Sequence, residues 1–297
     1  MNWQQICLAT NKDLVDSWSE ALLDAGAVSI TLEEDKNQPL YELSPEHHPL
    51  WDNMSLIGLF PADLDRALIK LLLSQVIDAQ IISQATWSDI SDQDWELKWQ
   101  ADLKPMLFGN KLWVCPSWCR IPDPNAINII LDPEMAFGTG THPTTALCLE
   151  WIADNIKPGD SVVDYGCGSG ILAIAAAKMG ASKVYAVDID PVALVVSSNN
   201  AVKNYIPADR FELFLNDQKL DIKADIVIAN ILANPLIELA PVLAGLVKPG
   251  GKIVLSGLLN EQAPSIQARY AAWFSDFTVV RQAEWVRITA ILKLNVK

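Results

Sequence analysis

The first 86 residues alternate between strand-like and helix-like patterns of apolar positions. Residues 3–9, 27–34, 54–60 and 79–87 are strand candidates. Helical spacing covers residues 63–76 and also the positions Leu14, Val15, Trp18, Ala21, Leu22 and Ala25, with Asn11 as the expected N-cap and Gly26 as the expected stop. The order strand, helix, strand, strand, helix, strand predicts a ferredoxin-like α+β domain over residues 1–86.

A polar, tryptophan-rich segment follows, with the sequence "SDISDQDWELKWQADLKP". Trp95 and Trp99 are four positions apart and would share one face of a helix, so we predict a linker helix over residues 87–104. The alternative is an aromatic surface on which nucleic-acid bases stack. Such surfaces interleave aromatic residues with Lys and Arg, which this segment does not do, so packing is the favoured interpretation.

From residue 105 onwards the pattern changes to regular alternation of strands and helices. "KLWVCPSW" and "AINIILD" predict a short β pair, and "DSVVDYG", "SKVYAVDID", "FELFL", "ADIVIANIL" and "GGKIVLSGLL" predict strands. Helical segments lie between them, including "NPLIELAPVLAGLV" as a single helix. Repeated βα units predict a parallel, doubly wound sheet over residues 105–297. The last two strands, 276–284 and 285–294, leave no room for a crossover and predict a hairpin with an antiparallel final strand.

Composition and charge narrow the function classes. With 297 residues, the chain is about two domains long. Its formal net charge of −14 would repel a phosphate backbone, so a basic protein is a better partner than nucleic acid. The five scattered cysteines are an odd number and predict a reducing cytoplasm. Neither a secretion signal nor a membrane span is expected, and we expect a monomer.

A glycine turn follows the first strand of the doubly wound sheet. "VVDYGCGSG" places Gly166, Gly168 and Gly170 between a strand and a helix, at the edge where open α/β sheets bind ligands. Glycine there lets the backbone approach a ligand closely. The next strand ends at Asp188, 22 positions after Gly166, at the distance of an acid that binds a ribose diol.

Three kinds of nucleotide site compete for this turn. A dinucleotide fingerprint needs G-x-G-x-x-G, but Ile171 stands at the third glycine, and a phosphate-binding P-loop needs a Lys that is missing. An acid two residues before G-x-G-x-G is the signature of Rossmann-like class I methyltransferases that bind S-adenosylmethionine, and Asp164 supplies that acid. The terminal hairpin favours the methyltransferase sheet too. A dehydrogenase and an inactive structural domain stay as alternatives.

The fourth strand of this sheet runs into "NILANPLIEL", which holds two asparagines. Asn230 lies at the carboxyl end of the strand and faces the expected cleft, so it is the candidate catalytic residue. Its alternative role is that of a turn residue. Asn234 precedes Pro235, the arrangement of an N-cap with proline at the first helical position.

A metal or phosphate site is one alternative for the stretch "GTGTHPTT", and a metal site is one for the remaining histidines and cysteines. The stretch has no Lys and no companion ligands, and Pro143 indicates a helix start, where the hydroxyl of Thr145 can meet a polar group of a ligand. His142 either holds the turn or forms a wall of the cofactor pocket. Adjacent His47 and His48 do not have a metal-binding helix spacing, and Cys115 and Cys119 lack a second pair, so we expect no metal.

With these motifs in view, the whole chain resembles the bacterial methyltransferases that modify the eleventh protein of the large ribosomal subunit. The matching pieces are "DPEMAFGTGTHPTT", "VVDYGCGSGILAIAAAKMGA", "VDIDP" and "NILANPL", and the one departure is Glu134, where a glycine is expected. The resemblance implies that the N-terminal domain holds the substrate protein and that residues 105–297 transfer methyl groups from S-adenosylmethionine. The acceptors would be lysine ε-amines and an N-terminal α-amine. The implied cofactor contacts are Thr145, Gly166, Gly168, Asp188 and Asn230.

Two rival functions stay open at this point. Enzymes that methylate a glutamine side chain in another translation protein carry N-P-P-[YF] at the fourth strand, and "NILA" lacks both prolines and the aromatic residue. A non-catalytic interaction module on a dead methyltransferase fold is the second rival. Amine acceptors are preferred over both.

Overall fold

The computed structural model describes residues 2–34, 54–91, 103–132, 142–217 and 220–294. The chain divides into two compact units, residues 1–102 and 103–297. No helix in the described ranges is long and apolar enough to cross a membrane.

The described residues of the N-terminal unit form a four-stranded antiparallel sheet and three helices. Its elements are β1 (Asn2–Thr10), α1 (Val15–Asp24), β2 (Ser29–Glu34), β3 (Met54–Pro61), α2 (Arg66–Leu73), α3 (Ala79–Gln84) and β4 (Thr86–Ser91). The strand order is β2-β3-β1-β4, and every neighbouring pair is antiparallel. This is the ferredoxin-like order that the sequence predicts. Buried Trp18, Leu22, Ile69 and Leu73 pack the helices on Ile6 of the sheet.

The end of this unit differs from the sequence prediction. Residues 79–87 were expected to form a strand, but residues 79–84 are helical because the Asp78 side chain accepts a hydrogen bond from the Gln80 amide at 2.7 Å and caps α3. The strand β4 begins only at Thr86 and pairs with β1 as far as Ser91. Residues 87–91 are therefore sheet and not linker helix, and Trp95 and Trp99 lie outside the described residues.

The start of α1 is also later than predicted. The Asn11 side chain accepts a hydrogen bond from the Asp13 amide at 3.0 Å, which forms a turn before the helix and does not cap it. Leu14 is the N-cap. Gly26 follows the helix with φ +100°, as expected of the glycine that stops it.

The C-terminal unit holds two sheets. The strands are β5 (Met106–Phe108), β6 (Leu112–Cys115), β7 (Ile127–Ile130), β8 (Ser161–Tyr165), β9 (Lys183–Asp188), β10 (Phe211–Leu215), β11 (Ala224–Asn230), β12 (Val247–Leu259), β13 (Phe274–Gln282) and β14 (Trp285–Leu292). The helices are α4 (Pro143–Asn155), α5 (Ile171–Lys178), α6 (Pro191–Lys203), α7 (Ala233–Glu238), α8 (Ala240–Leu246) and α9 (Ala263–Tyr270). Short 3-10 turns cover Ala208–Arg210 and Asn260–Gln262.

The large sheet has the strand order β10-β9-β8-β11-β12-β14-β13. The pairs from β10 to β12 are parallel, whereas β14 is antiparallel to both β12 and β13. The predicted terminal hairpin and antiparallel final strand are confirmed. The chain moves outward one way from β8 to β10 and the other way from β11, so β8 and β11 flank a topological switch point, where such sheets bind ligands.

Both faces of the central strands are covered. Val162 and Val163 are neighbours in β8, point to opposite faces and are each 0% exposed. Val162 belongs to the core under α4 and α5, and Val163 to the core under α7, α8 and α9. The strands that end at the switch point are thus held rigidly.

The segment after β11 corrects two predictions. The expected single helix over 234–247 is broken at Leu239 into α7 and α8, because Pro241 lies in the first turn of α8 and cannot donate a backbone hydrogen bond. Asn234 is not the N-cap. Leu232 occupies that position without a side-chain cap, and Asn234 lies exposed in the first turn of α7.

Candidate functional site

Three neighbouring strands bring the predicted polar residues to one edge of the large sheet. β8 ends before Gly166, β9 ends at Asp188 and β11 ends at Asn230. Because β8 lies between β9 and β11, the three carboxyl ends are adjacent. The candidate site is therefore assembled by the sheet itself.

The glycine turn has the left-handed backbone that glycine permits. Gly166, Gly168 and Gly170 have φ of +79°, +51° and +79°. A Cβ on Gly166 would lie 2.3 Å from Ile231 Cγ2, and one on Gly170 would lie 2.1 Å from Ser197 Oγ. At these two positions the close approach is thus to the protein's own side chains, whereas the sequence suggested close approach to a ligand.

Asp188 holds the turn from the next strand. One carboxylate oxygen accepts a hydrogen bond from the Gly168 amide at 2.8 Å, and the other accepts from the Asp190 amide at 3.0 Å. Each carboxylate oxygen has two lone pairs, so both retain acceptor capacity. Asp188 is 9% exposed, and its backbone is followed by Ile189, which is 75% exposed. The carboxylate can therefore bind a diol at the mouth of the cleft.

Asp164 lies beneath the turn and is 1% exposed. Oδ2 accepts a hydrogen bond from the Ala173 amide at 2.9 Å, whereas the buried Oδ1 has no partner. Burial raises the pKa of this carboxyl to about 7, and the charge of Asp188 acts in the same direction, while the Ala173 hydrogen bond opposes them. The acid of the signature therefore holds the first turn of α5, which follows the glycine turn.

The helix α4 brings Thr145 to the cleft from the other side. His142 is its N-cap: the ring Nδ1 lies 3.4 Å from the Thr144 amide and 2.7 Å from the Thr144 hydroxyl. The His142 ring also packs edge-on against Trp285, with centroids 4.7 Å apart. Burial lowers the pKa of His142, against the charge of Glu284, which favours the neutral ring that a cap needs. Of the two roles considered for His142, these contacts support holding the turn.

Asn230 and Thr145 meet across the cleft. Asn230 Nδ2 donates to Thr145 Oγ1 at 3.3 Å, although the two residues are 85 positions apart. Thr145 is 1% exposed, and Asn230 is partly exposed. Among the described residues no hydrogen bond reaches Asn230 Oδ1. The structure thus leaves a carbonyl oxygen at the strand end for a ligand.

The residue after Asn230 is fixed between two glycines, one of which the sequence reasoning missed. A Cβ on Gly257, which has φ +87°, would lie 2.2 Å from the Ile231 carbonyl oxygen, while Gly166 meets the Ile231 side chain. A glycine inside the apolar strand "KIVLSGLL" was the available signal, since it marks a close backbone approach.

These residues fit S-adenosylmethionine. Asp188 offers acceptors for a ribose diol, while Thr145 and Asn230 offer a hydroxyl and an amide for the polar parts of the ligand. Gly166 and Gly168 are partly exposed between them. The five predicted contact residues lie near one edge of the large sheet, and their individual roles stay predictions.

Metal ligands are not assembled in the part of the chain that the structure describes: it contains no group of three or more His, Cys, Asp or Glu arranged for a metal ion. Burial, together with Cys119, raises the pKa of Cys115 to about 11, so its thiol stays protonated. His47 and His48 lie outside the described residues.

Comparison with known proteins gives one family over nearly the whole chain. Residues 2–293 match the model of the family described as ribosomal protein L11 methyltransferase (PrmA). A ribosomal protein L11 methyltransferase from Actinobacillus pleuropneumoniae is 47% identical over 99% of this chain and 100% of its own. One from Cellvibrio japonicus is 45% identical over 98% and 99%.

A solved structure gives the same result. The crystal structure of the ribosomal protein L11 methylase from Lactobacillus delbrueckii subsp. bulgaricus has a TM-score of 0.58 and 31% identity, covering 64% of this chain and 100% of that one. The chain belongs to the family of ribosomal protein L11 methyltransferases, which use S-adenosylmethionine as the methyl donor.

Proposed function

We propose that this chain transfers methyl groups from S-adenosylmethionine to lysine ε-amines and the N-terminal α-amine of ribosomal protein L11. The observation that carries the proposal is the pairing of Asn230 with Thr145 at the switch point of the sheet. It leaves one side-chain carbonyl at the strand end, in a chain of this family. A ribosomal protein substrate and five free cysteines support a cytoplasmic location, and we propose a monomer.

The amine acceptor sets the energetic demand on the site. When bound, S-adenosylmethionine supplies an electrophilic methyl group on a positively charged sulfur. A lysine of pKa ~10.4 is mostly protonated at neutral pH, so exposing the neutral amine costs about 4 to 5 kcal/mol. An α-amine of pKa ~8 costs only about 1 kcal/mol. Burial of the lysine beside a positive charge lowers its pKa and reduces this demand.

Asn230 meets the remaining demand by orientation. Its Oδ1 accepts a hydrogen bond from the incoming amine and directs the nitrogen lone pair toward the methyl carbon. Thr145 holds the Asn230 amide through the 3.3 Å hydrogen bond, so the carbonyl oxygen cannot rotate away. Asp188 holds the ribose of the donor. The chain's residues therefore bind and orient, and a dedicated base is not required.

The test of this role is single-turnover methylation of L11 at saturating S-adenosylmethionine. Asn230→Ala should lower the rate at least about tenfold, because it removes the orienting acceptor. Asn234→Ala is the matched control, because this asparagine lies four positions further on and is exposed in the first turn of α7. A loss for Asn230→Ala no larger than that of the control would exclude the orienting role.

The N-terminal unit is proposed to recognise the substrate protein. Residues 1–102 contain 18 acidic and 5 basic residues, and so carry −13 of the net charge of −14. A basic protein, as many ribosomal proteins must be to bind rRNA, is the complementary partner. The methyltransferase unit itself is close to neutral. The charge that attracts the substrate is thus placed on the unit without the donor site.

The outer face of α2 and the turn that follows it offer an apolar surface for the same partner. Leu68, Leu71 and Val76 are 51%, 63% and 55% exposed. A groove of about 430 Å³ lies beside them and is lined by Leu71 and Ile82, among other residues. Exposed apolar groups clustered in this way mark interaction sites.

Kinetics of the full chain test the recognition surface. Leu71→Asp should raise the KM for L11 at least about fivefold, since fully burying a leucine side chain is worth about 1.5 to 3 kcal/mol, and should leave the affinity for S-adenosylmethionine unchanged. Leu23→Asp is the control, because Leu23 is 53% exposed on α1. An unchanged KM for L11 in the α2 variant would exclude this face.

A further inference from the structure

Helix α6 carries two asparagines that are buried although their side chains are polar. Asn200 is 0% exposed and Asn204 is 2% exposed. They are one helical turn apart and therefore lie on the same face. Burying an amide is costly unless it is hydrogen-bonded. Both polar atoms of the Asn204 side chain and Nδ2 of Asn200 have partners, whereas Asn200 Oδ1 has none among the described residues.

Asn200 binds the glycine turn. Its Nδ2 donates to the Ser169 carbonyl at 3.0 Å, across 31 positions of sequence. The residue before Ser169 is held as well, because the Gly168 amide donates to Asp188, which stands just before α6. The turn is thus fixed at the Ser169 carbonyl by the C-terminal part of α6 and at the Gly168 amide by the last residue of β9.

Asn204 ties the same helix to β7. Its Oδ1 accepts from the Ile130 amide and its Nδ2 donates to the Ile130 carbonyl, both at 2.8 Å. A side-chain amide here replaces the backbone of a neighbouring strand. The second Nδ2 hydrogen reaches the Asn200 carbonyl at 2.9 Å, so the two asparagines are directly linked. Lys203 adds an ion pair to Asp132 at 3.4 Å.

The helix also packs on the turn without a gap. At Gly170 a Cβ would lie 3.2 Å from the Ser197 Cα, so the backbone of α6 leaves no room for a side chain on the turn there. A contact this close tolerates little sliding. The helix can therefore transmit the position of β7 to the glycine turn.

We propose that Asn200 and Asn204 are positioning residues of the donor site: through α6 they fix the glycine turn relative to β7. The inference rests on the proposed function for its link to S-adenosylmethionine. The positioning itself is a property of the ligand-free protein. Both residues act through the turn, because they are 0% and 2% exposed.

The first test measures amide hydrogen exchange in the ligand-free protein. In Asn200→Ala, exchange at residues 166–170 should become at least about tenfold faster, because the amides of Gly166, Gly168 and Gly170 are all hydrogen-bonded in the turn that loses its anchor. Exchange in α9 should stay unchanged. Unaltered exchange in the turn would overturn the inference whether or not the protein binds S-adenosylmethionine.

The second test measures the affinity for S-adenosylmethionine by calorimetry and, for the same variants, the KM for L11. Asn200→Asp puts an acceptor against the Ser169 carbonyl and should weaken donor binding at least about tenfold; Asn204→Ala should weaken it about fivefold. Both should leave the KM for L11 unchanged, which a general loss of structure would not do. Asn199→Ala, on the exposed side of the same helix, should bind normally.

If Asn200→Asp is unfolded at the assay temperature, Asn200→Ala and Asn204→Asp replace it, the latter keeping the acceptor for Ile130 while losing both donated bonds. Folded variants of Asn200 and Asn204 that bind the donor within about twofold of the unaltered protein would overturn the inference.

Discussion

The buried carboxyl of Asp164 allows a prediction about the free energy of unfolding that does not involve the ligand. One oxygen is hydrogen-bonded to the Ala173 amide, and the other is buried without a partner. Replacing this acid by its uncharged isostere, Asp164→Asn, removes the charge while keeping an oxygen that can face Ala173. The variant should therefore gain stability relative to the unaltered protein wherever Asp164 would be ionised.

The magnitude follows from the pKa. Burial raises the pKa of Asp164 from 3.8 to about 7, so the folded protein holds this proton more tightly than the unfolded chain. At about 1.36 kcal/mol per unit, ionisation costs up to about 4 kcal/mol of folding stability. The cost is absent below about pH 4, grows as the pH rises through the window from about 4 to 7, and is constant above it.

Urea unfolding of both proteins from about pH 5 to about pH 8, without S-adenosylmethionine, measures this difference. The stability of Asp164→Asn minus that of the unaltered protein should grow by about 2 to 3 kcal/mol over the range. A constant offset is expected in addition, because the new amide hydrogens need an acceptor. A stability difference between the two proteins that does not change with pH would exclude a raised pKa for Asp164.

Three further substitutions test other parts of the account. In thermal unfolding, Gly166→Ala should lose about 1 to 2 kcal/mol of stability for its left-handed backbone and about 1 to 3 kcal/mol more for the clash with Ile231. The control Gly159→Ala, with φ +98° and nothing within 4 Å, should lose only the backbone contribution. Equal losses would exclude the clash. Thr145→Val keeps the shape and removes the hydroxyl that holds the Asn230 amide, so calorimetry should show donor binding about five- to tenfold weaker; unchanged binding would remove Thr145 from the site. Although burial opposes it, hydrogen bonds from Ser161 and Lys248 lower the pKa of Asp225 to about 2. In denaturant unfolding, Asp225→Asn should therefore lose less than about 1 kcal/mol of folding stability above pH ~4 and none below pH ~2. A loss of stability that persists in strong acid would contradict this.

Local patterns predicted most of the fold because local physics decides those features. The alternation of strands and helices after residue 105 and the glycine turn depend on periodicity and on backbone freedom within a few residues. The terminal hairpin follows from the missing crossover. Local patterns predict the wrong element where a single residue decides the structure. Asp78 caps a short helix in a stretch whose pattern predicts a strand, and Pro241 breaks an apolar run whose pattern predicts one helix.

The site was predictable only in part. The sheet topology explains why Gly166, Asp188 and Asn230 meet, since carboxyl ends of adjacent parallel strands share an edge. The contact of Asn230 with Thr145 depends on how α4 packs. The two residues are 85 positions apart in the sequence, so no local pattern predicts this contact. Buried Asn200 reads as an ordinary polar helix position, because the sequence does not say which face of α6 is covered.

The most direct test of the central claim is mass spectrometry of purified ribosomal protein L11 after incubation with this protein and S-adenosylmethionine. The account predicts methyl groups on lysine ε-amines and on the N-terminal α-amine, and their loss at least about tenfold with Asn230→Ala but not with Asn234→Ala. Methylation confined to a glutamine side chain, or no transfer to L11 by a protein that binds the donor, would contradict it.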